Sequence, residues 1–182
     1  MGLVIAISGK PGAGKTTYAR EVACFFNLKH VSSGELFRQL AEGRGLSLLE
    51  LHKLAEKDFE IDRMVDERAL NEAKKGNVVI EGHLAAWILE DIADLKIFFT
   101  APLEVRVVRV AKRDGLSYEE ALRELKAREE SNKVRAKQIY GFDLDDLSIF
   151  DVIFNTARLS REVILETLKT LISKFREQQA SR

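Results

Sequence analysis

An apolar, β-branched run, Leu3-Val4-Ile5-Ala6-Ile7, leads into Gly9-Lys10-Pro11-Gly12-Ala13-Gly14-Lys15-Thr16-Thr17. The second segment fits G-x-x-x-x-G-K-[ST], the pattern of a loop that cradles phosphate groups. Behind it, Tyr18, Ala19, Val22, Ala23 and Phe26 fall on one helical stripe. A buried strand, a glycine-rich loop and an amphipathic helix in that order suit phosphate binding, and a chance glycine-rich turn would not need that setting. Gly9, Gly12 and Gly14 let the main chain curl round an anion, and the following helix points its positive end at it. Lys15 supplies a mobile ammonium, and the Thr16 hydroxyl is a ligand for Mg²⁺.

Downstream, apolar strands alternate with helices. Strands are expected at Asn27–Val31, Val78–His83, Leu95–Phe99 and Asp151–Asn155. Ser32/Glu35, Ser47/Glu50 and Ser117/Glu120 have capping-box spacing and mark helix starts. The helix after Ser47 should turn Leu48, Leu51, Leu54 and Ala55 inward, and a helix over Glu60–Lys75 should bury Ile61, Met64, Val65, Ala69, Leu70 and Ala73. A terminal helix with Val163, Ile164, Leu168, Leu171, Ile172 and Phe175 closes the chain, and Gln178–Arg182 should fray. The alternation predicts one α/β domain, a parallel sheet with helices on both faces. Two helical insertions, about 34–75 and about 114–137, are not needed for such a sheet, and are expected to carry ligand contacts.

Composition excludes several partners. Lys+Arg and Asp+Glu are both 29, so nothing global favours nucleic acid or an anionic membrane. Charged residues make up 32% of the chain, above the usual ~25%, a proportion that suits heat-adapted ion-pair networks. No apolar run approaches a membrane span, and Met1-Gly2 lacks the Ser or Thr an acylation signal needs at position six, which is Ala6. With no charged leader either, the expectation is a cytoplasmic protein. The single cysteine, Cys24, forms no internal disulfide and is expected to be a buried small hydrophobe.

Arg109 and Arg113 lie one helical turn apart, and Arg128 and Arg135 two turns apart, so each pair shares a face. With Arg38 and Lys15 they are candidates to converge on bridging phosphates, against a solvated face of ion pairs with Glu124, Glu129 and Glu130. Glu81, at the tip of a strand expected beside the loop strand, is a candidate to hold Mg²⁺ through water. His83 follows it as a lesser candidate, while His30 and His52 have no metal partner at a recognised spacing.

Beyond the loop, Ser33-Gly34-Glu35-Leu36-Phe37-Arg38, Ala55-Glu56-Lys57-Asp58 with Ile61-Asp62, Glu81-Gly82, Ala101-Pro102, and Arg128-Glu129-Glu130 with Arg135 and Tyr140-Gly141 recur together. In these the chain resembles the nucleoside monophosphate kinases, most closely the archaeal type of cytidylate kinase, over nearly its whole length. The resemblance implies a P-loop NTPase fold with a five-stranded sheet in the order 2-3-1-4-5. It implies that residues 34–75 bind the acceptor monophosphate and 114–137 form a lid. It implies transfer of the ATP γ-phosphoryl group to CMP or dCMP with Mg²⁺, directly and in line, without a covalent enzyme intermediate. By the same resemblance Gly9 to Thr17 and Arg109 hold ATP, and Lys15, Arg113, Arg128 and Arg135 are catalytic. Ser33, Arg38, Asp62, Gly82, His83, Arg128, Asn132 and Arg135 contact the acceptor, and Thr16 and Glu81 serve the metal. Similar kinases usually have arginine where His83 stands, and the bacterial type has an acid at Asn132. The implied partners are small nucleotides only, with no nucleic acid, no membrane and a monomeric state. Two other readings stay open: a small P-loop kinase acting on AMP, UMP or a shikimate-like acceptor, and an adenylate-kinase-like ATPase that acts as an assembly factor.

Overall fold

The computed structural model describes residues 2–181. The elements run β1 (Val4–Gly9), α1 (Lys15–Phe26), β2 (Lys29–Ser32), α2 (Ser33–Gly43), α3 (Leu48–Ala55), α4 (Glu60–Lys75), β3 (Val78–Glu81) and α5 (Ala85–Ile88). They continue with β4 (Leu95–Thr100), α6 (Leu103–Asp114), α7 (Tyr118–Tyr140), β5 (Val152–Asn155) and α8 (Arg161–Ala180). The five strands pair in parallel in the order β2-β3-β1-β4-β5, as the resemblance implies.

Side-chain alternation along the strands splits the core into two layers. Ile5 and Ile7 of β1 join Val79, Ile97, Phe99 and Phe154 beneath α1 and α8. Val4 and Ala6 face the other way and join Val78 and Ile80 beneath α4 and α5. A satellite cluster of Phe37, Ala41, Leu51, Ala55, Ile61 and Val65 unites α2, α3 and α4. Val107 and Val110 of α6 pack on Ala121 and Leu125 of α7 to make another. The helices between β2 and β3, and the α6–α7 pair, therefore carry small cores of their own beside the sheet.

The register sets the position of the site. Ile7 pairs with Glu81, and Gly9 with Phe99, so the carboxyl ends of β1, β3 and β4 finish together. Chain order departs from β1 to opposite sides of it, the arrangement that opens a crevice at that edge.

Several sequence expectations need correction. Cys24 is exposed, because α1 turns it away from the stripe that meets the sheet. Leu54, Met64 and Val163 are also exposed, whereas Asp62 and Asp66 are buried on α4. Helix α4 thus has an apolar-and-acidic inner face: its apolar residues pack on the sheet, α2 and α3, and its two acids meet Arg135 and Tyr140 of α7. Asn27 does not begin β2: it adopts a left-handed φ of 52° and closes α1 by donating to the Ala23 and Cys24 carbonyls. Strand β3 stops at Glu81, leaving Gly82 and His83 in the bend beyond it. The 23 residues of α7 form one helix that runs past the expected boundary at 137 to Tyr140. Helix α8 continues to Ala180, and of the expected fraying tail Arg182 lies outside the described residues.

Candidate active site

Helix α1 begins differently from the serine-capped helices. Serines cap α2, α3, α7 and α8 with a side-chain hydrogen bond. Gly14 precedes α1 in a left-handed conformation, with no side-chain cap and no acid in the first turn. The start of this helix keeps its positive end for an external anion. At Gly9 the φ is +149°, and an added Cβ would stand 2.2 Å from the Phe99 carbonyl oxygen. Gly9→Ala is therefore expected to destabilise the fold by about 1–3 kcal/mol and to weaken nucleotide binding, read by thermal melting and by titration with ATP.

The cavity over this loop has a volume of about 640 Å³. Its floor is the loop itself, and α2, α3 and α4 wall one side while α6 and α7 wall the other. Of the predicted residues, it collects Pro11, Gly12, Gly14, Lys15, Thr16 and Thr17 with Ser33, Arg38, Asp62, Glu81, Gly82, His83, Arg109, Arg113, Arg128 and Asn132. Gly9 and Lys10 lie below, where their carbonyls accept hydrogen bonds from Lys15 Nζ at 2.8 and 3.2 Å. Ala13 is buried, its carbonyl bonded by Thr156 Oγ1 at 2.9 Å.

The cavity concentrates cations. Burial lowers the Lys15 pKa to about 8; Glu81 opposes the shift, and Arg128, Arg113 and Arg106 add to it. Arg128 is lowered to about 10 by burial and then by Arg113. Its Nε and Nη1 are buried without a hydrogen-bond partner among the described residues. Arg113 forks onto Asp114 at 2.6 Å and stays half exposed at the rim. Arg109 grips Thr156, with Nη1 donating to Oγ1 at 2.8 Å and Nη2 to the carbonyl at 2.9 Å. Buried cations without counter-charges are costly, and an anion arriving here relieves that cost.

Thr16 Oγ1 donates to Glu81 Oε1 at 2.8 Å, and Ser32 Oγ donates to the same oxygen. Hydroxyl and carboxylate meet at the loop, a pair of hard oxygen donors of the kind Mg²⁺ takes. Among the described residues no three His, Cys, Asp or Glu side chains group to hold a metal by themselves. His83 is kept neutral, its pKa lowered by burial and then by the neighbouring Arg135.

Arg135 is set apart from the other arginines. It is 1% exposed and lies behind the cavity wall. Its Nε is 2.9 Å from Asp62 Oδ2. Nη1 donates to Ser131 Oγ at 2.7 Å and lies 3.1 Å from His52 Nδ1, and Nη2 donates to Asn132 Oδ1 at 3.0 Å. The contact with Arg135 requires His52 Nδ1 to accept, and burial keeps that imidazole uncharged.

Sequence reasoning missed His52, Asp66 and Thr156, all on the cavity wall, and Tyr140 behind it. Asp62 and Asp66 had a signal: two acids at i,i+4 on a helical face otherwise filled by Ile61, Val65 and Ala69. Thr156 had none, because it depends on where β5 ends against the loop.

The sequence pattern of the cytidylate kinase-like family matches residues 4–158. A cytidylate kinase from Ignicoccus hospitalis is 50% identical over 169 residues, covering 93% of this chain and 98% of that protein. One from Pyrobaculum calidifontis is 56% identical over 158 residues, covering 87% and 86%. Among solved structures, an uncharacterized protein from Eubacterium ventriosum has a TM-score of 0.71 at 21% identity, covering 94% of this chain and 98% of that one. Shikimate kinase from Acinetobacter baumannii in complex with shikimate has a TM-score of 0.60 at 17% identity, covering 96% and 94%. These two share the fold. Loop, cationic cavity and kinase relatives agree on a phosphotransferase that works on nucleotides, a nucleoside monophosphate kinase. The chain belongs to the cytidylate kinase-like family.

Proposed function

We propose that the chain transfers the γ-phosphoryl group of ATP to CMP or dCMP, giving ADP and the diphosphate, by direct in-line attack with Mg²⁺ bound. The observation that carries the reading is a cavity with two unlike ends. Around the loop it is cationic, with Lys15, Arg38, Arg113 and Arg128; between α3 and α4 it has the apolar side chains of Leu48 and Val65 beside the acids Asp62 and Asp66. A phosphate ester with a flat, polar-edged ring complements both, and relatives about half identical to this chain are called cytidylate kinases.

The residues divide the work. The loop amides and Lys15 grip the donor phosphates, and Lys15 leaves the carbonyls of Gly9 and Lys10 to do so. Arg109, braced by Thr156, lies beside the loop for the donor side. Arg38 meets the acceptor phosphate, with Ser33 and Asn132 near its nucleoside and Gly82 and His83 beside them. Gly82 leaves Ser33 room, since a Cβ there would stand 2.9 Å from the serine Oγ. Arg128 meets charge developing on the transferring group, with Arg113 following from the rim as α6 and α7 close as a lid. Thr16 and Glu81 would hold Mg²⁺, which supplies charge neutralisation at the phosphates when bound. The acceptor phosphate oxygen is itself the nucleophile, so no side chain has to form a bond to phosphorus. Arg135 acts from behind, clamping Asp62, His52 and Asn132 rather than reaching the reacting atoms.

A coupled ADP-release assay over CMP, dCMP, UMP, AMP and shikimate tests the reading. CMP and dCMP are expected to have the highest kcat/KM. Faster turnover of any other acceptor overturns the base assignment, and ATP hydrolysis without an acceptor overturns the transfer reaction.

A further inference from the structure

Asp66 is a buried acid with one oxygen committed and one open. Tyr140, the last residue of α7, donates its hydroxyl to Asp66 Oδ2 at 2.6 Å. Asp66 borders the cavity, and among the described residues no donor meets its Oδ1. Its neighbour one turn earlier is in a different situation: Asp62 is held by Arg135 at 2.9 Å. Of the two acids on this face of α4, Asp62 is thus already charge-paired, and Asp66 is the one that borders the cavity with its charge unpaired among the described residues. The clamp also fixes Asn132, whose Oδ1 accepts from Arg135, so that its amide N–H₂ remains for the ligand side.

We propose that Asp66, anchored by Tyr140, is the specificity-determining residue that distinguishes the 4-amino group of a cytosine-type acceptor from the 4-oxo group of a uracil-type one. This rests on the reading that the acceptor is a pyrimidine monophosphate. Tyr140 must donate, because burial and the hydrogen bond to Asp66 hold its phenol well above the ordinary range. Oδ2 is then always an acceptor, and any proton on the carboxyl group sits on Oδ1. Ionised Asp66 presents Oδ1 as an acceptor, which a 4-amino group satisfies and a 4-oxo group does not. Protonated Asp66 presents an O–H donor and reverses the preference. A site that leaves a buried polar group unpaired rejects the wrong ligand far more strongly than one that merely fits less well.

The balance between the two forms lies within reach of experiment. Burial raises the Asp66 pKa to about 7, against the lowering effect of the Tyr140 hydrogen bond. Asp62 on the same helix raises it further and Arg135 of α7 lowers it. His52 of α3 stays uncharged, α2 contributes Arg38 to the same cavity, and Arg63 of α4 acts on Tyr140.

The test is the ratio of kcat/KM for CMP to that for UMP, measured on the full chain from about pH 6 to about pH 8. Both acceptors carry the same phosphate, whose ionisation cancels in the ratio, and kcat/KM reports the groups of the free enzyme. In the wild type the ratio should rise about tenfold or more with pH. Asp66→Asn, with its amide N–H₂ in place of Oδ1, should lower the ratio at the upper pH by about 10- to 100-fold and flatten its pH dependence. Tyr140→Phe should lower it by a smaller factor and shift its inflection. A wild-type ratio that does not change with pH overturns the assignment even if Asp66→Asn fails to fold, and so does a folded Asp66→Asn that keeps the wild-type ratio. No turnover of CMP by the wild type at any pH overturns the acceptor reading itself, a different result from CMP turnover with a flat ratio.

Discussion

Lys15→Ala is expected to lower kcat by about two to three orders of magnitude, the scale set by removing one preorganised charge contact to a reacting group. The fold should survive. Among the described residues the Lys15 ammonium bonds only to the carbonyls of its own loop, and burial disfavours its charge enough to bring its pKa down to about 8. The sign of the stability effect follows. A lysine whose folded pKa is depressed penalises the folded state fully below that value, and the penalty fades as pH rises toward the unfolded pKa. Ligand-free Lys15→Ala should therefore melt no lower than the wild type, with its advantage largest below about pH 8. Turnover near the wild-type rate in a folded variant would remove the loop from the reaction.

The second large effect belongs to Arg128. Arg128→Met keeps the length of the side chain and removes a guanidinium whose Nε and Nη1 are buried without partners. The loss in kcat/KM is expected to be about 10²- to 10³-fold, appearing mainly in kcat if Arg128 acts on the transition state. The ligand-free protein should at the same time become more stable, because an apolar group replaces a buried charge whose burial and arginine neighbours outweigh the favourable pull of Asp114 and Glu124. Melting should rise by about 2–4 °C for each kcal/mol regained. Function and stability then move in opposite directions at one residue, which separates this role from a structural one. A variant that loses both together would show that Arg128 holds the helices in place.

Much of this was legible in the chain because the signals were local. The phosphate loop depends on residues adjacent in sequence, and Ser47/Glu50 and Ser117/Glu120 close their capping boxes within a single turn. The sheet order came with the family resemblance rather than from strand patterns, which do not reveal neighbours. What periodicity misread were the helices with partners on unusual sides. Met64 and Leu54 are apolar but face solvent, while Asp62 and Asp66 are acidic but face α7. Burial of those acids requires Arg135 and Tyr140, which lie about seventy residues away in sequence and reach them only after α7 has packed. Arg135 illustrates the same limit, because its helical spacing from Arg128 suggested a shared target. In the fold one guanidinium borders the cavity and the other is enclosed by Asp62, His52, Ser131 and Asn132.

Arg106 joins parts of the molecule that the sequence keeps distant. From α6 its guanidinium donates to the Ala101 carbonyl at 3.0 Å, to the Pro11 carbonyl at 3.2 Å and to the Glu129 carboxylate on α7. The phosphate loop, the end of β4 and the long helix bearing Arg128 therefore share one fastening. Any swing of α7 wide enough to admit or release a nucleotide must either turn about that point or tear it. Entry of the donor and travel of the arm above the acceptor are thereby geared to each other, like two wheels on one axle.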